Sequence, residues 1–399
     1  MRFPGFTDEW SDSYLRLDCE VNPKSPILED EFVYIDLESV EKGVLIKRQI
    51  IKKVDAPSRA QRVLSDSDVL FQCVRPYQQN NYFYEVDNSG LQWVASTGYA
   101  QLRVKHSNPE FIYHLLSSPS FTRKVIVRCT GSNYPAINSE DLSNIHYRIC
   151  SLPEQKKIAK LITLLNERIA AQNKIIEDLK KLKSAIIDKV FCLPNEKRPH
   201  IRLGNFCDDW KIVKLSEICN RVTDKNSGLK CNLVLTIAAQ YGLVSQLDFF
   251  NKNVASENLS SYFLIRNGDF AYNKSYSGDY PWGTIKKLDC YEAGVLSPLY
   301  FCFRPNPSNV NSDYLAFYFE SKKWYRGVSE IAGEGARNHG LLNISVVDFF
   351  DTLHRIPSLK EQSHIAVILH SCQNKINNEE RLLLQYQNER KYLLSTMFI

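Results

Sequence analysis

The chain has 399 residues, with 50 Lys+Arg against 45 Asp+Glu and 44% apolar residues, so two or three globular domains are expected and disordered or low-complexity classes are excluded. No run approaches the ~18 apolar residues of a membrane span, and the opening Met1-Arg2-Phe3-Pro4-Gly5 lacks an apolar signal core. Eleven cysteines lie scattered without a Cys-x-x-Cys pair; reduced thiols in a cytoplasmic protein are expected, and the net charge of +5 permits nucleic-acid binding without demanding it.

In chain order, the first motif is RFPGFTDEW at 2–10. Residues 17–150 alternate short β-rich runs, such as Phe32-Val33-Tyr34-Ile35 and Val69-Leu70-Phe71, with Gly, Asn, Ser and Pro clusters. A helical piece interrupts them around 110–116. The stretch 72–82 carries Arg75, Tyr77, Gln78, Gln79, Asn80, Asn81 and Tyr82, with Pro76 fixing a loop. Arg suits guanine, Gln and Asn amides suit adenine, and tyrosine hydroxyls suit phosphate. A polar surface loop with sideways-packed tyrosines is the other reading. A second loop, 130–135, offers Ser132, Asn133 and Tyr134.

From 152 to 191, Ile158, Leu161, Ile162, Leu165, Ile169, Ile175, Ile176, Leu179, Leu182, Ile186 and Val190 form one helical stripe. Pro153 fits the first turn and Pro194 stops the helix. Such a helix, about 37 residues and roughly 55 Å long, needs a partner along most of its length. Its lysines Lys156, Lys157, Lys160, Lys174, Lys180, Lys181, Lys183 and Lys189 read as a solvated face.

The chain then starts again. RLGNFCDDW at 202–210 pairs Arg202, Phe206, Asp208 and Trp210 with Arg2, Phe6, Asp8 and Trp10. Residues 217–357 read as a second mixed module, with a β-rich run at 299–303 and a helical piece at 313–319. The loop 272–283 offers Lys274, Ser275, Tyr276, Ser277 and Tyr280. The stretch 335–340, read as the counterpart of 130–135, places Arg337, Asn338 and His339 between glycines; a tight turn satisfying its own backbone is the alternative. Finally SLKEQSHIAVILHSCQNKI at 358–376 matches SLPEQKKIAKLITLLNERI at 151–169, pairing Glu361 with Glu154 and Gln362 with Gln155. The register runs on to Phe191 and Phe398.

A duplicated frame around two divergent inserts makes the second helix the economical partner of the first. The expected fold is mixed α/β (α+β): two globular recognition modules separated by two long antiparallel, coiled-coil helices in a pseudo-twofold internal repeat. The expected boundaries are 1–150, with an N-terminal frame at 1–16, then helix 151–193, module 194–357 and helix 358–399. No Walker lysine motif, H-E-x-x-H, G-x-S-x-G, glycine-rich cofactor loop or Asn/Asp-Pro-Pro-aromatic motif occurs, so a non-catalytic chain without a cofactor or metal of its own is expected.

The two frame motifs, the two helices, and the segments NKSYSGDYPWGTIKKL at 273–288, GVLSPLYFCF at 294–303, GEGARNHGLLNI at 333–344, VRPYQQNNYFYE at 74–85 and TGSNYPAIN at 130–138 together resemble the specificity subunit of type I restriction-modification systems. The likeness spans essentially the whole chain. One detail departs from it: Pro153-Glu154-Gln155 lacks the spacer present in Pro357-Ser358-Leu359-Lys360-Glu361-Gln362. The resemblance implies that each module is a target-recognition domain reading one half of a bipartite, asymmetric site in double-stranded DNA. It implies that the helices set the spacer and dock two modification (methyltransferase) subunits, with restriction subunits as further partners. S-adenosylmethionine, and ATP with Mg for restriction, would sit on those partners. A two-module coiled-coil scaffold binding proteins rather than DNA is the rival reading; its binding would lack a steep salt dependence.

Overall fold

The three-and-four apolar spacing produces two long helices, Leu152–Val190 and Leu359–Thr396. The computed structural model describes residues 1–250, 258–276, 278–332 and 340–398. The chain divides into two compact units, Met1–Lys174 with Glu380–Ile399, and Ile175–Glu379, so the division falls inside both long helices.

In the first unit, strands Gln49–Lys52, Glu31–Ile35, Gln92–Ser96 and Ala60–Val63 form a sheet in that order, with only the central pair parallel. A second, antiparallel sheet orders Cys19–Val21, Tyr99–Val104, Val69–Gln72 and Tyr82–Phe83. Helices Pro109–Leu116 and Pro119–Ile126 each begin with proline, and the Asn108 and Ser118 side chains accept from the Phe111 and Phe121 amides. Ser11–Tyr14 pairs with His146–Ile149 at the base. The core joins Trp10, Phe111, Phe121 and Tyr147 to Ile158 and Ile162 of the first long helix, and to Leu393, Leu394, Met397 and Phe398 from the end of the second. Here the two helix segments run antiparallel: Arg390 Nε donates to Asn166 Oδ1, and the Arg168 guanidinium lies 5.2 Å from the Tyr386 ring centre.

In the second unit, Cys219–Arg221, Phe301–Pro305, Phe270–Asn273 and Thr284–Lys287 form an antiparallel sheet in that order. Lys211–Lys214 pairs with Leu353–Ile356, as the equivalent strands do in the first unit. Asn311 caps helix Ser312–Glu320. Ile187, Val190 and Phe191 from the end of the first long helix enter this core beside Tyr314, Tyr318, Ile365 and Leu369. Phe191 lies 5.4 Å from Tyr314, and in the first unit Phe398 lies 5.1 Å from Phe111. Each repeat's helix therefore starts in one unit and finishes the core of the other.

The repeated sequence motifs explain themselves as a clasp. Arg2 donates to buried Glu154 at 2.9 and 2.7 Å, and Arg202 to buried Glu361 at 2.8 and 2.7 Å. These are two-point, charge-assisted pairs. Gln155 donates to the Cys150 carbonyl at 2.8 Å and accepts from the Asn108 amide at 2.8 Å; Gln362 donates to the Pro357 carbonyl at 2.9 Å and accepts from the Asn311 amide at 2.8 Å. The Glu-Gln pair thus ties the frame, the helix start and the capped helix of each module together. One lysine departs from the solvated-face reading: Lys183 is mostly buried and donates to Glu320 and Gln373, both at 2.8 Å.

Candidate nucleic-acid interface

In the first unit the strand Val69–Gln72 runs directly into the loop that carries Arg75. Arg75 and Gln79 adopt left-handed backbone, with φ of 55° each, and bracket the Pro76–Gln78 turn. The loop at 130–135 lies alongside: the Arg75 amide donates to the Pro135 carbonyl at 2.7 Å and the Ile137 amide to the Cys73 carbonyl at 3.1 Å. Gly131, at φ +91°, makes this turn, and a Cβ there would meet the Tyr134 carbonyl oxygen at 3.1 Å.

This pairing brings Arg75 over the Tyr134 ring at 4.2 Å. Such a cation–π contact is worth ~0.5–1 kcal/mol at an exposed site. It orients the guanidinium and leaves its in-plane N–H donors unengaged among the described residues. Tyr77 and Tyr134 are 52% and 63% exposed, and Ser132 and Asn133 are exposed beside them.

The remaining candidates of that loop are engaged by the fold, Gln78 while still exposed. Buried Gln72 organises them: its side-chain amide donates to Gln78 Oε1 at 2.9 Å, its Oε1 accepts from the Asn80 amide at 3.1 Å, and its backbone N–H donates to Asn81 Oδ1 at 2.9 Å. Asn81 is itself buried. Asn80 Oδ1 accepts from the Lys42 amide at 2.9 Å, and Gln79 donates to Thr122 at 2.9 Å. Tyr82 sits in the strand Tyr82–Phe83, and burial raises its hydroxyl pKa. These side chains shape the loop; Arg75, Tyr77, Gln78, Ser132, Asn133 and Tyr134 remain accessible on it.

The second unit repeats the arrangement. The Leu342 amide donates to the Lys274 carbonyl at 3.0 Å, and the Tyr276 amide to the Gly340 carbonyl at 3.2 Å. Ser275 bridges Leu341 just as Val74 bridges Ala136. Lys274 Nζ lies 4.8 Å from the Phe301 ring centre; Ser275 and Tyr276 are exposed, and Tyr280 is half-buried. Ser277, Arg337, Asn338 and His339 lie outside the described residues.

A further pair of anchors carried no signal in the sequence reading. Asp68 is buried and accepts from Arg103 at 3.0 and 2.8 Å; Asp269 is buried and accepts from Arg304 at 2.6 and 2.8 Å. Each aspartate immediately precedes the strand that feeds the loop carrying Arg75 or Lys274, and each arginine lies on the neighbouring strand. An Asp ahead of an apolar strand run, recurring together with an Arg in the next-paired strand, is the signal that would have found them. The two inserts differ in sequence yet share this scaffold.

Residues 59–181 match the family described as Type I restriction modification DNA specificity domain. The type I restriction enzyme MjaVIII specificity subunit of Methanocaldococcus jannaschii is 22% identical over 303 residues, covering 71% of this chain and 68% of that protein. The HindI specificity subunit of Haemophilus influenzae is 26% identical over 163 residues, covering 40% of this chain and 35% of its own length. A chain solved in work on assembly and conformational transition of a type I R-M system superposes with a TM-score of 0.58 at 20% identity, covering 99% of this chain and 97% of that one. The type I restriction-modification S subunit from M. genitalium has a TM-score of 0.55 at 13% identity, covering 98% and 96%. These two share the fold.

Proposed function

We propose that this chain, a type I restriction-modification specificity subunit, selects DNA by reading one half of a bipartite, asymmetric site with each unit. The observation that supports this most directly is the duplicated loop pair. Both units carry the same backbone pairing, 75 with 135 and 276 with 340, on the same strand and the same Asp–Arg anchor. Different side chains stand on that common frame: Arg75 and Tyr134 in one unit, Lys274, Ser275 and Tyr276 in the other. One geometry with two side-chain sets is what recognition of two unlike half-sites requires.

The stacked Arg75 suits bidentate donation to guanine O6 and N7, and the exposed Tyr77, Ser132 and Asn133 suit phosphate and base-edge contacts. The long helices then act as a ruler and as the dock for methyltransferase subunits, two in this reading. Restriction subunits join the same assembly. The chain binds and positions DNA; adenine methylation, with S-adenosylmethionine, and ATP- and Mg-dependent translocation belong to the partners. Among the described residues no group of three His, Cys, Asp or Glu is placed to hold a metal ion, and no helix is long and apolar enough to cross a membrane. The reading places the assembly in the cytoplasm.

Methylome sequencing after co-expression with a cognate methyltransferase subunit tests the proposal. A bipartite methylated motif is expected, and exchange of residues 17–150 for those of a relative changes only one half. Alteration of both halves, or a continuous motif, refutes the modular reading. A protein-binding scaffold would instead leave the methylome unchanged and show no salt-steep DNA affinity.

A further inference from the structure

The second unit holds a cavity of about 430 Å³ at the free edge of its sheet, lined by Lys286 and Thr284 of the edge strand, Gln240, Tyr280, Tyr325 and Glu320. Its polar groups are unusual in what they lack. Among the described residues, the side chains of Lys286, Thr284, Gln240, Tyr280 and Tyr325 have no hydrogen-bond partner. Glu320 is ion-paired with Lys183 at 2.8 Å and also faces Lys286, so two ammonium groups share one carboxylate and the cavity keeps one positive charge in excess. Burial lowers the Lys286 pKa, outweighing the opposite pull of the Glu320 carboxylate, and the neighbouring Lys183 ammonium lowers it further. A cation desolvated in this way is stabilised by an anion that returns the missing charge and hydrogen bonds.

The donor set identifies the class of anion. Lys286, Thr284, Tyr280, Tyr325 and Gln240 all offer N–H or O–H donors, and the cavity has room for a tetrahedral group with several acceptor oxygens. A chloride would use one or two of these donors and a carboxylate's two oxygens would leave some unmet. We propose that this cavity binds a phosphate group, held chiefly by Lys286 with Tyr280 and Tyr325. Tyr280 stands on the recognition loop, so a backbone phosphate of bound DNA is one source; a free phosphorylated metabolite is the other. Only the first source rests on the DNA-reading function argued above.

Two measurements on the full chain test this, with Lys286→Gln and Tyr325→Phe checked for wild-type circular dichroism. Calorimetric titration with inorganic phosphate is expected to show one site, weakened about tenfold or more in Lys286→Gln, as for loss of a charge-assisted bond. Acetate is expected to bind at least about tenfold more weakly than phosphate. In the second measurement, DNA affinity is followed against salt. A slope shallower by about 0.9 in Lys286→Gln assigns the site to a DNA phosphate. An unchanged slope with phosphate binding lost assigns it to a free phosphorylated ligand. Phosphate binding that is absent, matched by acetate, or untouched by Lys286→Gln overturns the proposal. Absence of specific DNA binding in the wild-type chain would count against the recognition function instead, and leaves the phosphate titration to decide the cavity.

Discussion

Glu361→Gln tests the clasp that attaches the second frame to the second long helix. Glu361 is fully buried and receives two bonds from Arg202, at 2.8 and 2.7 Å, and a third from Trp210 Nε1 at 3.3 Å. The amide keeps the shape but removes the charge and sets an NH₂ group against a guanidinium. Removing one partner of a buried pair costs about 3–5 kcal/mol. The Arg202 side chain retains 16% exposure, which relieves part of that penalty, so about 2–3 kcal/mol is expected. The paired substitution Glu154→Gln should cost less, because Arg2 is 27% exposed and Trp10 Nε1 makes no such bond. Hydrogen–deuterium exchange of amides 202–215 reads the effect locally, and 2–3 kcal/mol corresponds to about 30- to 150-fold loss of protection. Combination with Arg202→Met completes a double-mutant cycle. Protection unchanged in Glu361→Gln, or a coupling energy below about 0.5 kcal/mol, refutes the clasp.

Three further outcomes follow from the packing and the site. Phe398→Ala should destabilise the first unit by about 3–5 kcal/mol, because the ring is buried against Phe111; a urea melt followed by exchange at residues 109–126 checks it, and loss confined to the second unit contradicts it. Burial lowers His114 to about 3 and His354 to about 4, against 6.5 when unfolded. The unfolded chain therefore takes up protons that the folded chain refuses: their stabilisation is complete above pH 6.5 and falls below it by up to about 1.4 kcal/mol per pH unit for each histidine. Melting from pH 7.5 to 5 should show this, with a shallower slope in His354→Asn; a flat profile contradicts it. Arg75→Ala should relax one half of the methylated motif by about 1–3 kcal/mol of discrimination and leave the other half intact, whereas Asn81→Ala should lower stability through loss of the Gln72 bond. Methylome sequencing and thermal melts separate the two.

The long helices were legible because eleven apolar positions at three-and-four spacing leave little choice, and Glu-Gln at both helix starts announced the repeat. Chemistry hidden in single contacts was not. Asn80, Asn81 and Gln79 carry the same amides whether they face a base or their own loop; their partners, the Lys42 and Gln72 backbone amides and the Thr122 hydroxyl, decide that they brace the loop. The Asp68–Arg103 and Asp269–Arg304 anchors leave no periodic trace, since each is a single aspartate ahead of one strand and a single arginine on the next. The sequence paired the two helices with each other but left open which module's core each helix end enters, because periodicity reports that a face is buried without saying by whom. The swapped ends, Phe191 beside Tyr314 and Phe398 beside Phe111, emerged from the fold alone.

That exchange of helix ends sets a timetable for synthesis. Ser120 and Phe398 are hydrogen-bonded across 278 residues, and Leu393, Leu394 and Met397 belong to the same core. At roughly 5–20 residues per second, the first half waits roughly 10–40 s on the ribosome with a cleft open along Phe111 and Ile158. The second half has its borrowed helix end, Phe191, in hand before its own strands are made. The unit begun first is thus completed last: the second core has its residues once Leu369 is made, whereas the first still waits for Leu393, Leu394, Met397 and Phe398.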